Sequence, residues 1–297
     1  MPLITRSRRL SRSQGQGSFF KAHVDTPRSK EMFGSLVVVF PTPHEGGALV
    51  FRHRGDEWTF DSSAVLSAAG PASIAYAAFF SDVEHEVLPV TSGHRVTLTY
   101  NLYFGEDERA SAKDLVSEPP QEENQRRFRS RFEALLKNPK FLPDGGTLGF
   151  GMRHAYQVKA SPDGLQHIYG LLKGSDATVY QSLRALGLDP ILYLNYRNED
   201  SYGDTESVMI NKVPDFDSYC QVEDLFELLK ELDGIVIPSD EKVTWVTPET
   251  RYSSLTSAYA AYGNEGTVGY AYGVVCLITR IGNVAERLAH LEVTQGK

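Results

Sequence analysis

Short apolar runs separated by turn residues recur through the first third of the chain. Leu36–Phe40 has the composition of a buried strand, Gly46-Gly47 marks a turn that leads into a strand ending near Phe51, and Ala75–Phe80 forms a further apolar run. Several short strands joined by turns are typical of an antiparallel sandwich or barrel. The pattern therefore predicts a mainly β structure for this segment.

The rest of the chain mixes helical and strand periodicities. Apolar residues recur at helical spacing through 121–137, and Ser175 is the predicted N-cap of a helix that ends at Gly187. This half is predicted to be a mixed α/β or α+β domain. The expected elements are a short helix around 222–232 and strands at 191–196, 208–213, 235–238, 243–247 and 268–281.

Three boundaries follow from composition. Residues 1–17 are basic, polar and rich in Ser, which predicts a flexible leader and a poor sheet strand. A first domain is expected over 18–104, and the charged, breaker-rich stretch 105–120 is predicted to be a linker. Residues 121–297 then form the second domain, which we expect to shape a substrate cleft, to dimerise or to bind a partner.

Charge and cysteine content narrow the class of protein. A net charge of -8 disfavours a nucleic-acid binder, because phosphate contacts need clustered positive surface. No apolar stretch is long enough to span a bilayer, and no phosphate-binding glycine motif occurs. Cys220 and Cys276 are too few for a disulfide framework, which favours a reducing compartment, cytoplasmic or nuclear. The Arg- and Ser-rich leader also leaves a mitochondrial location open.

The candidate chemistry lies in a His-x-Asp triplet and a distant histidine. His23 and Asp25 are two residues apart, so on a strand they share a face, and His85 can bring a third ligand from another strand. Two imidazoles and one carboxylate form a facial set that leaves three adjacent coordination positions free. Arg95 follows His85 by ten residues, beyond a Ser92-Gly93 turn, and offers a guanidinium fork to a carboxylate.

Three other histidines are left out of this site. His44 falls in a Pro- and Gly-rich loop and His53 in a charged stretch. His94 adjoins Arg95, so strand alternation turns it to the opposite face.

The stretch Gly17–Phe104, with its segments 19–28, 85–87 and 95–100, resembles the Fe(II)/2-oxoglutarate-dependent dioxygenases of the prolyl 4-hydroxylase type, and is most similar to their fungal members. The resemblance implies that the domain is a double-stranded β-helix, or jelly roll, with the metal at its open end. It makes His23, Asp25 and His85 the iron ligands. It makes Arg95 the anchor of the distal carboxylate of 2-oxoglutarate, and Thr97, two residues further along the same face, an added hydroxyl donor.

The same resemblance implies the reaction. Fe(II) would use 2-oxoglutarate and dioxygen to hydroxylate a C–H bond of an unknown protein or small-molecule substrate, with 2-oxoglutarate decarboxylated to succinate. A prolyl residue of a protein is the leading candidate, and L-ascorbate is the implied reductant. These statements rest on likeness to the family.

Two alternatives stay open at the level of sequence. Members of this family usually have a strand before the His-x-Asp strand, and the polar leader predicts that this wall of the cavity is missing. That expectation favours a degenerate relative that binds a metal or a partner without turnover. The other alternative is a cupin-like metal enzyme that needs no 2-oxo acid, against which Arg95 and its spacing count.

Overall fold

The computed structural model describes residues 9–26, 29, 32–69, 73–103, 120–199, 205–218, 222–237, 243–251, 253–261 and 267–295. The chain divides into two units, Met1–Leu115 and Val116–Lys297. Each unit has a hydrophobic core of its own.

The first unit is built from antiparallel strands. Two four-stranded sheets have the orders β1-β10-β3-β7 and β2-β8-β5-β6, and β4 pairs with β9. This alternation of neighbouring strands between two sheets is the double-stranded β-helix that the sequence predicts. The elements are β1 (Arg9–Gln14), β2 (Phe20–His23), β3 (Met32–Val39), β4 (His44–Gly46), β5 (Leu49–His53), β6 (Asp56–Phe60), α1 (Ser62–Ala69), β7 (Ala75–Phe80), β8 (Glu84–Val87), β9 (Val90–Gly93) and β10 (Arg95–Tyr103).

The core of the first unit explains why the apolar runs form strands. Val37 and Val39 of β3 are buried together with Leu49 and Phe51 of β5, so strands of both sheets contribute to one cluster. Alternate residues of a strand face opposite sides, and in β3 and β5 one side carries the branched and aromatic side chains that fill this cluster. The strands predicted at 36–40, after Gly47 and at 75–80 are confirmed.

The leader is not flexible throughout, and that expectation is wrong for residues 9–14. They form β1, which pairs antiparallel with β10 over six residues, from Arg9 opposite Tyr100 to Gln14 opposite Arg95. Sheet pairing uses backbone N–H and C=O groups, which every residue other than proline supplies, so a polar segment can complete a sheet edge. The cavity wall that was expected to be missing is therefore present.

The second unit combines helices with a large sheet of mixed parallel and antiparallel strands. The sheet order is β14-β13-β12-β17-β11-β15, and β16 pairs with β17. The elements are α2 (Pro120–Lys137), β11 (Gly146–Gly151), α3 (Gly164–Tyr169), α4 (Gly174–Ala185), β12 (Ile191–Glu199), β13 (Thr205–Ile210), a 3-10 turn (Phe216–Ser218), α5 (Leu225–Glu231), β14 (Ile235–Ile237), β15 (Thr244–Thr247), β16 (Ser254–Ala261), β17 (Thr267–Ile281) and α6 (Val284–Gln295).

Helix α4 begins earlier than predicted. Its N-cap is Lys173 and not Ser175, because Lys173 is the last residue with extended backbone. Asp176 in the first turn is buried and accepts hydrogen bonds from the backbone N–H of Arg153 and of His154, which fixes the start of the helix. In α2 the predicted stripe is confirmed, since Phe132 and Leu136 are buried in the core of the unit.

Several predicted features fall outside the described part of the chain. Of the predicted linker 105–120, only Pro120 is described. Cys220 is likewise outside the described residues, and Cys276 is a free, buried thiol.

Among the described residues, no helix is both long and apolar enough to cross a membrane.

Candidate metal centre and cosubstrate cavity

Two histidines face each other across neighbouring strands. His23 at the end of β2 lies opposite His85 of β8 in the antiparallel register, and their ring centroids are 4.3 Å apart. Asp25 lies two residues beyond the end of β2, and its Oδ1 is 3.9 Å from His85 Nε2. The ligand atoms of the three residues all lie within 4.8 Å of one another. The structure therefore brings the predicted ligands together.

Backbone carbonyls fix which nitrogen of each ring is free. His23 Nδ1 is 2.9 Å from the carbonyl oxygen of Lys21, and His85 Nδ1 is 3.1 Å from that of Val83. A carbonyl only accepts, so each Nδ1 carries the proton and each Nε2 offers a lone pair. Burial lowers the pKa of His85, which keeps its ring in the neutral form that a metal needs.

Ser35 orients the carboxylate of Asp25. The Ser35 hydroxyl, which is buried in β3, donates to Asp25 Oδ2 at 2.5 Å. That bond occupies one carboxylate oxygen and leaves Oδ1 toward the histidines. Hydrogen bonds of this kind hold metal ligands in a fixed orientation.

The donor set fits a divalent transition metal. Two neutral imidazole nitrogens and one carboxylate oxygen are the facial set that non-haem Fe(II) oxygenases use. The side chains are already restrained by Val83, Lys21 and Ser35, so little reorganisation is needed to bind an ion.

Arg95 is a buried cation that lacks an anionic partner in the described part of the chain. It is 1% exposed, and within the described ranges its Nε and Nη2 have no hydrogen-bond partner. Burial lowers the pKa of Arg95 to about 10. Buried charges are normally paired, so a buried guanidinium without an anionic partner among the described residues is unusual.

The partner that Arg95 does have comes from β1. Arg95 Nη1 donates to Gln14 Oε1 at 2.8 Å, and the two residues are opposite each other in the β1–β10 ladder. Thr97 is also buried, and by strand alternation it shares the face of β10 with Arg95.

Gly47 makes room for the methylene groups of the Arg95 side chain. Its backbone has φ of +68°, and a Cβ there would lie 2.7 Å from Arg95 Cδ. A side chain at this position would therefore be strained and would push against Arg95.

One cavity of about 340 Å³ contains both parts of the site. This is a typical size for a small-molecule site. The cavity lies between the two sheets of the first unit, with the candidate metal ligands on one side and the polar face of β10 on the other. Its lining includes Arg12, Gln14, Phe20, His23, Asp25, Ser35, Phe79, His85, Arg95, Thr97, Thr99 and Asn101.

The histidines that were left out are absent from this cavity. His44 lies in β4, where its Nδ1 contacts the carbonyl of Thr42, and it lines a different cavity. His94 is exposed, in agreement with the predicted alternation.

Comparison with known proteins shows which family the first unit resembles. Residues 8–103 match the family model described as 2OG-Fe(II) oxygenase superfamily, and this range includes His23, Asp25, His85 and Arg95. The first unit is therefore similar to 2OG-Fe(II) oxygenase domains. No curated protein matches the chain at a significant level.

Two solved structures are similar to part of this chain. One is an oxidoreductase of the 2OG-Fe(II) oxygenase family from Burkholderia pseudomallei, with 21% identity, a TM-score of 0.27, and 33% of this chain and 42% of that chain covered. The other is a prolyl-4-hydroxylase from Pseudomonas putida, with 23% identity, a TM-score of 0.26, and 34% and 55% covered. The chain thus spans about half the length of these proteins, and both TM-scores are too low to support further conclusions.

Two residues of the oxygenase site were missed at the level of sequence. Ser35 precedes an apolar run and gives no sign of a contact with Asp25. Gln14 was assigned to the flexible leader, although the alternation of Arg12 and Gln14 before the Gly15-Gln16-Gly17 turn is compatible with a strand.

Proposed function

We propose that the chain is an Fe(II)/2-oxoglutarate-dependent dioxygenase that hydroxylates a C–H bond and forms succinate. The observation that carries the proposal is the combination, in one cavity, of a converging His23–Asp25–His85 set with a buried arginine, two of whose nitrogens have no hydrogen-bond partner among the residues that the structure describes. A metal site alone would not need the arginine.

The chain's residues have distinct tasks in this mechanism. His23, Asp25 and His85 would hold Fe(II), which supplies the activation of dioxygen when it is bound. Arg95 Nε and Nη2 would bind the distal carboxylate of 2-oxoglutarate as a fork, with the Thr97 hydroxyl as an additional donor. The opposite end of the cosubstrate is thereby directed toward the metal ligands, and the lining residues Phe20 and Phe79 exclude water from this end of the cavity.

The finer proposals follow the family likeness. A prolyl residue of a protein is our proposed substrate class and L-ascorbate the proposed reductant, since the first unit resembles the prolyl 4-hydroxylase type. Other protein or small-molecule substrates are the competing outcomes of a substrate screen.

We propose a reducing compartment, the cytoplasm or nucleus, on the basis of cysteine content. Removal of the leader as a mitochondrial signal would delete β1, which counts against that location.

The degenerate alternative has lost its main support. It depended on a missing strand before His23, and β1 fills that place. Arg95 in the same cavity as the ligands also disfavours the cupin-like alternative, which has no use for a carboxylate anchor.

The test is an anaerobic titration of the full chain with Fe(II) and 2-oxoglutarate, in which the metal-to-ligand charge-transfer band is recorded. We expect a band that is absent in His85→Ala and that requires far more 2-oxoglutarate in Arg95→Ala. Succinate formation on addition of dioxygen would then establish turnover. A folded chain that binds Fe(II) but gives no band with 2-oxoglutarate would overturn the proposal.

A further inference from the structure

Gln14 occupies a place in the cavity that neither the metal nor the carboxylate fork accounts for. It is buried at 9% exposure, although amide side chains are usually exposed, and it lies on a strand whose neighbouring residues Arg12 and Ser13 are exposed. Its only described hydrogen bond to a side chain is the one from Arg95. The residue is therefore held inside the cavity by the arginine that it contacts.

The orientation of the Gln14 amide is dictated by chemistry. A guanidinium has five N–H donors and no acceptor, so the amide oxygen must face Arg95 Nη1 and the amide nitrogen must face away. This bond holds one edge of the guanidinium. The atoms that remain without a partner, Nε and Nη2, are the pair that forms a side-on fork for a carboxylate.

The absence of charge on the Gln14 side chain is as important as its position. A carboxylate at the same place would satisfy Arg95 from within the protein and leave no net positive charge for a ligand. An apolar residue would leave Nη1 without an acceptor, so the guanidinium would be free to rotate. Glutamine is the residue type that fixes the fork while preserving the charge.

We propose that Gln14 is a positioning residue of the cosubstrate site, which sets the Arg95 fork and keeps it available for the distal carboxylate of 2-oxoglutarate. β1 is then a functional part of the site as well as a wall of it. This inference rests on the proposed function, because it assigns the fork to 2-oxoglutarate.

The deciding experiment compares Gln14→Glu with wild type and with Gln16→Glu, in which the same charge change is made at an exposed position of the following turn. Each full-length protein is titrated anaerobically, after loading with Fe(II), with 2-oxoglutarate and with 2-oxobutanoate. The second compound chelates a metal in the same way but lacks the distal carboxylate, so its affinity reports the metal end alone.

We expect Gln14→Glu to weaken 2-oxoglutarate binding about 100-fold, as when a buried charge loses its intended partner. Fe(II) and 2-oxobutanoate affinities should stay at wild-type values, the melting temperature of the metal-free protein should not fall, and Gln16→Glu should match wild type throughout. Gln14→Leu should weaken 2-oxoglutarate binding about 10-fold, because the loss of one hydrogen bond to a charged group is smaller than its replacement by a competing charge.

Two outcomes would overturn the inference. One is wild-type affinity for 2-oxoglutarate in Gln14→Glu, and the other is an equal loss for both oxo acids, which would mean that the residue supports the fold or the metal instead of the fork. A failure of the proposed function looks different, because wild type itself would then give no band with either oxo acid. In that case thermal shift of the metal-free proteins with glutarate still tests Gln14, and equal shifts for wild type and Gln14→Glu would refute its role.

Discussion

Replacing Arg95 by methionine should make the metal-free protein more stable while it removes the cosubstrate site. Arg95 is 1% exposed, and in the described part of the chain its Nε and Nη2 have no hydrogen-bond partner. Methionine has a similar linear shape and no charge or polar hydrogen to bury. The substitution therefore separates the cost of holding the cation from its use in binding.

The magnitude follows from the lowered pKa of Arg95. A change from the usual value of 12.5 to about 10 means that the buried cation costs about 3 kcal/mol relative to the unfolded chain. For a base with a lowered pKa, this cost is fully present below about pH 10 and is relieved only as the pH rises above that value. Loss of the hydrogen bond to Gln14 offsets part of the gain, so we expect a net stabilisation of about 1 to 3 kcal/mol at neutral pH.

The assay is urea unfolding of the full chain in a Trp245→Phe background. The chain has two tryptophans, and Trp58 then remains as the reporter of the oxygenase domain, where it stacks on Phe51 with ring centroids 5.6 Å apart. The free energy of unfolding is compared for Arg95 and Arg95→Met in metal-free buffer and then, anaerobically, with Fe(II) and 2-oxoglutarate. Relative to a reference with Fe(II) alone, 2-oxoglutarate at a free concentration about 100-fold above its Kd should stabilise the arginine form by about 2.7 kcal/mol more, and the methionine form by far less.

A buried charge without a partner destabilises a protein, so its removal should not lower stability. The reasoning is refuted if metal-free Arg95→Met is less stable than its parent by about 1 kcal/mol or more. Equal ligand-induced stabilisation of both forms would show that Arg95 is not the anchor.

Three further predictions concern the ligands, their support and the second unit. His85→Ala should abolish stoichiometric Fe(II) binding measured by anaerobic calorimetry. The control His94→Ala changes an exposed histidine next to Arg95 and should leave Fe(II) binding intact. Equal loss of binding in both variants would contradict the ligand assignment. Ser35→Ala should weaken Fe(II) binding about 10- to 100-fold by freeing the metal-binding carboxylate, and unchanged affinity would remove Ser35 from the site. Burial raises the pKa of Cys276 to about 12, so its thiol should be unreactive in the native protein. In a Cys220→Ser variant, a thiol reagent should therefore react with no cysteine before unfolding and with one cysteine after it. Rapid labelling of the native protein would contradict the burial of Cys276.

The site residues differ in how far sequence could find them. His23, Asp25 and His85 were predicted correctly as a cluster. The prediction came from the joint pattern of the His-x-Asp triplet with a distant histidine, although Asp25 lies beyond the end of β2 and not on the strand itself. Arg95 was predicted to enter the same cavity, and the structure places it there. Its role and that of Thr97 remain predictions, since no ligand contact has been measured.

The strands of the first unit were predictable where burial selects apolar side chains, as in β3 and β7. β1 was not, because its pairing with β10 uses backbone groups and its cavity face is polar. A sequence of Arg, Ser and Gln reads equally as a solvated arm or as the polar wall of a binding site.

The sequence by itself was enough to predict the clustering of His23, Asp25 and His85, the β architecture of the first unit and the mixed character of the second half, because local spacing and hydrophobic periodicity carry that information. Tertiary structure alone decided that Ser35 restrains Asp25 and that Gln14 holds Arg95. Those contacts join residues on different strands, and the Gln14–Arg95 pair is 81 positions apart. Their existence depends on strand register, which forms only when the two sheets have closed around the cavity.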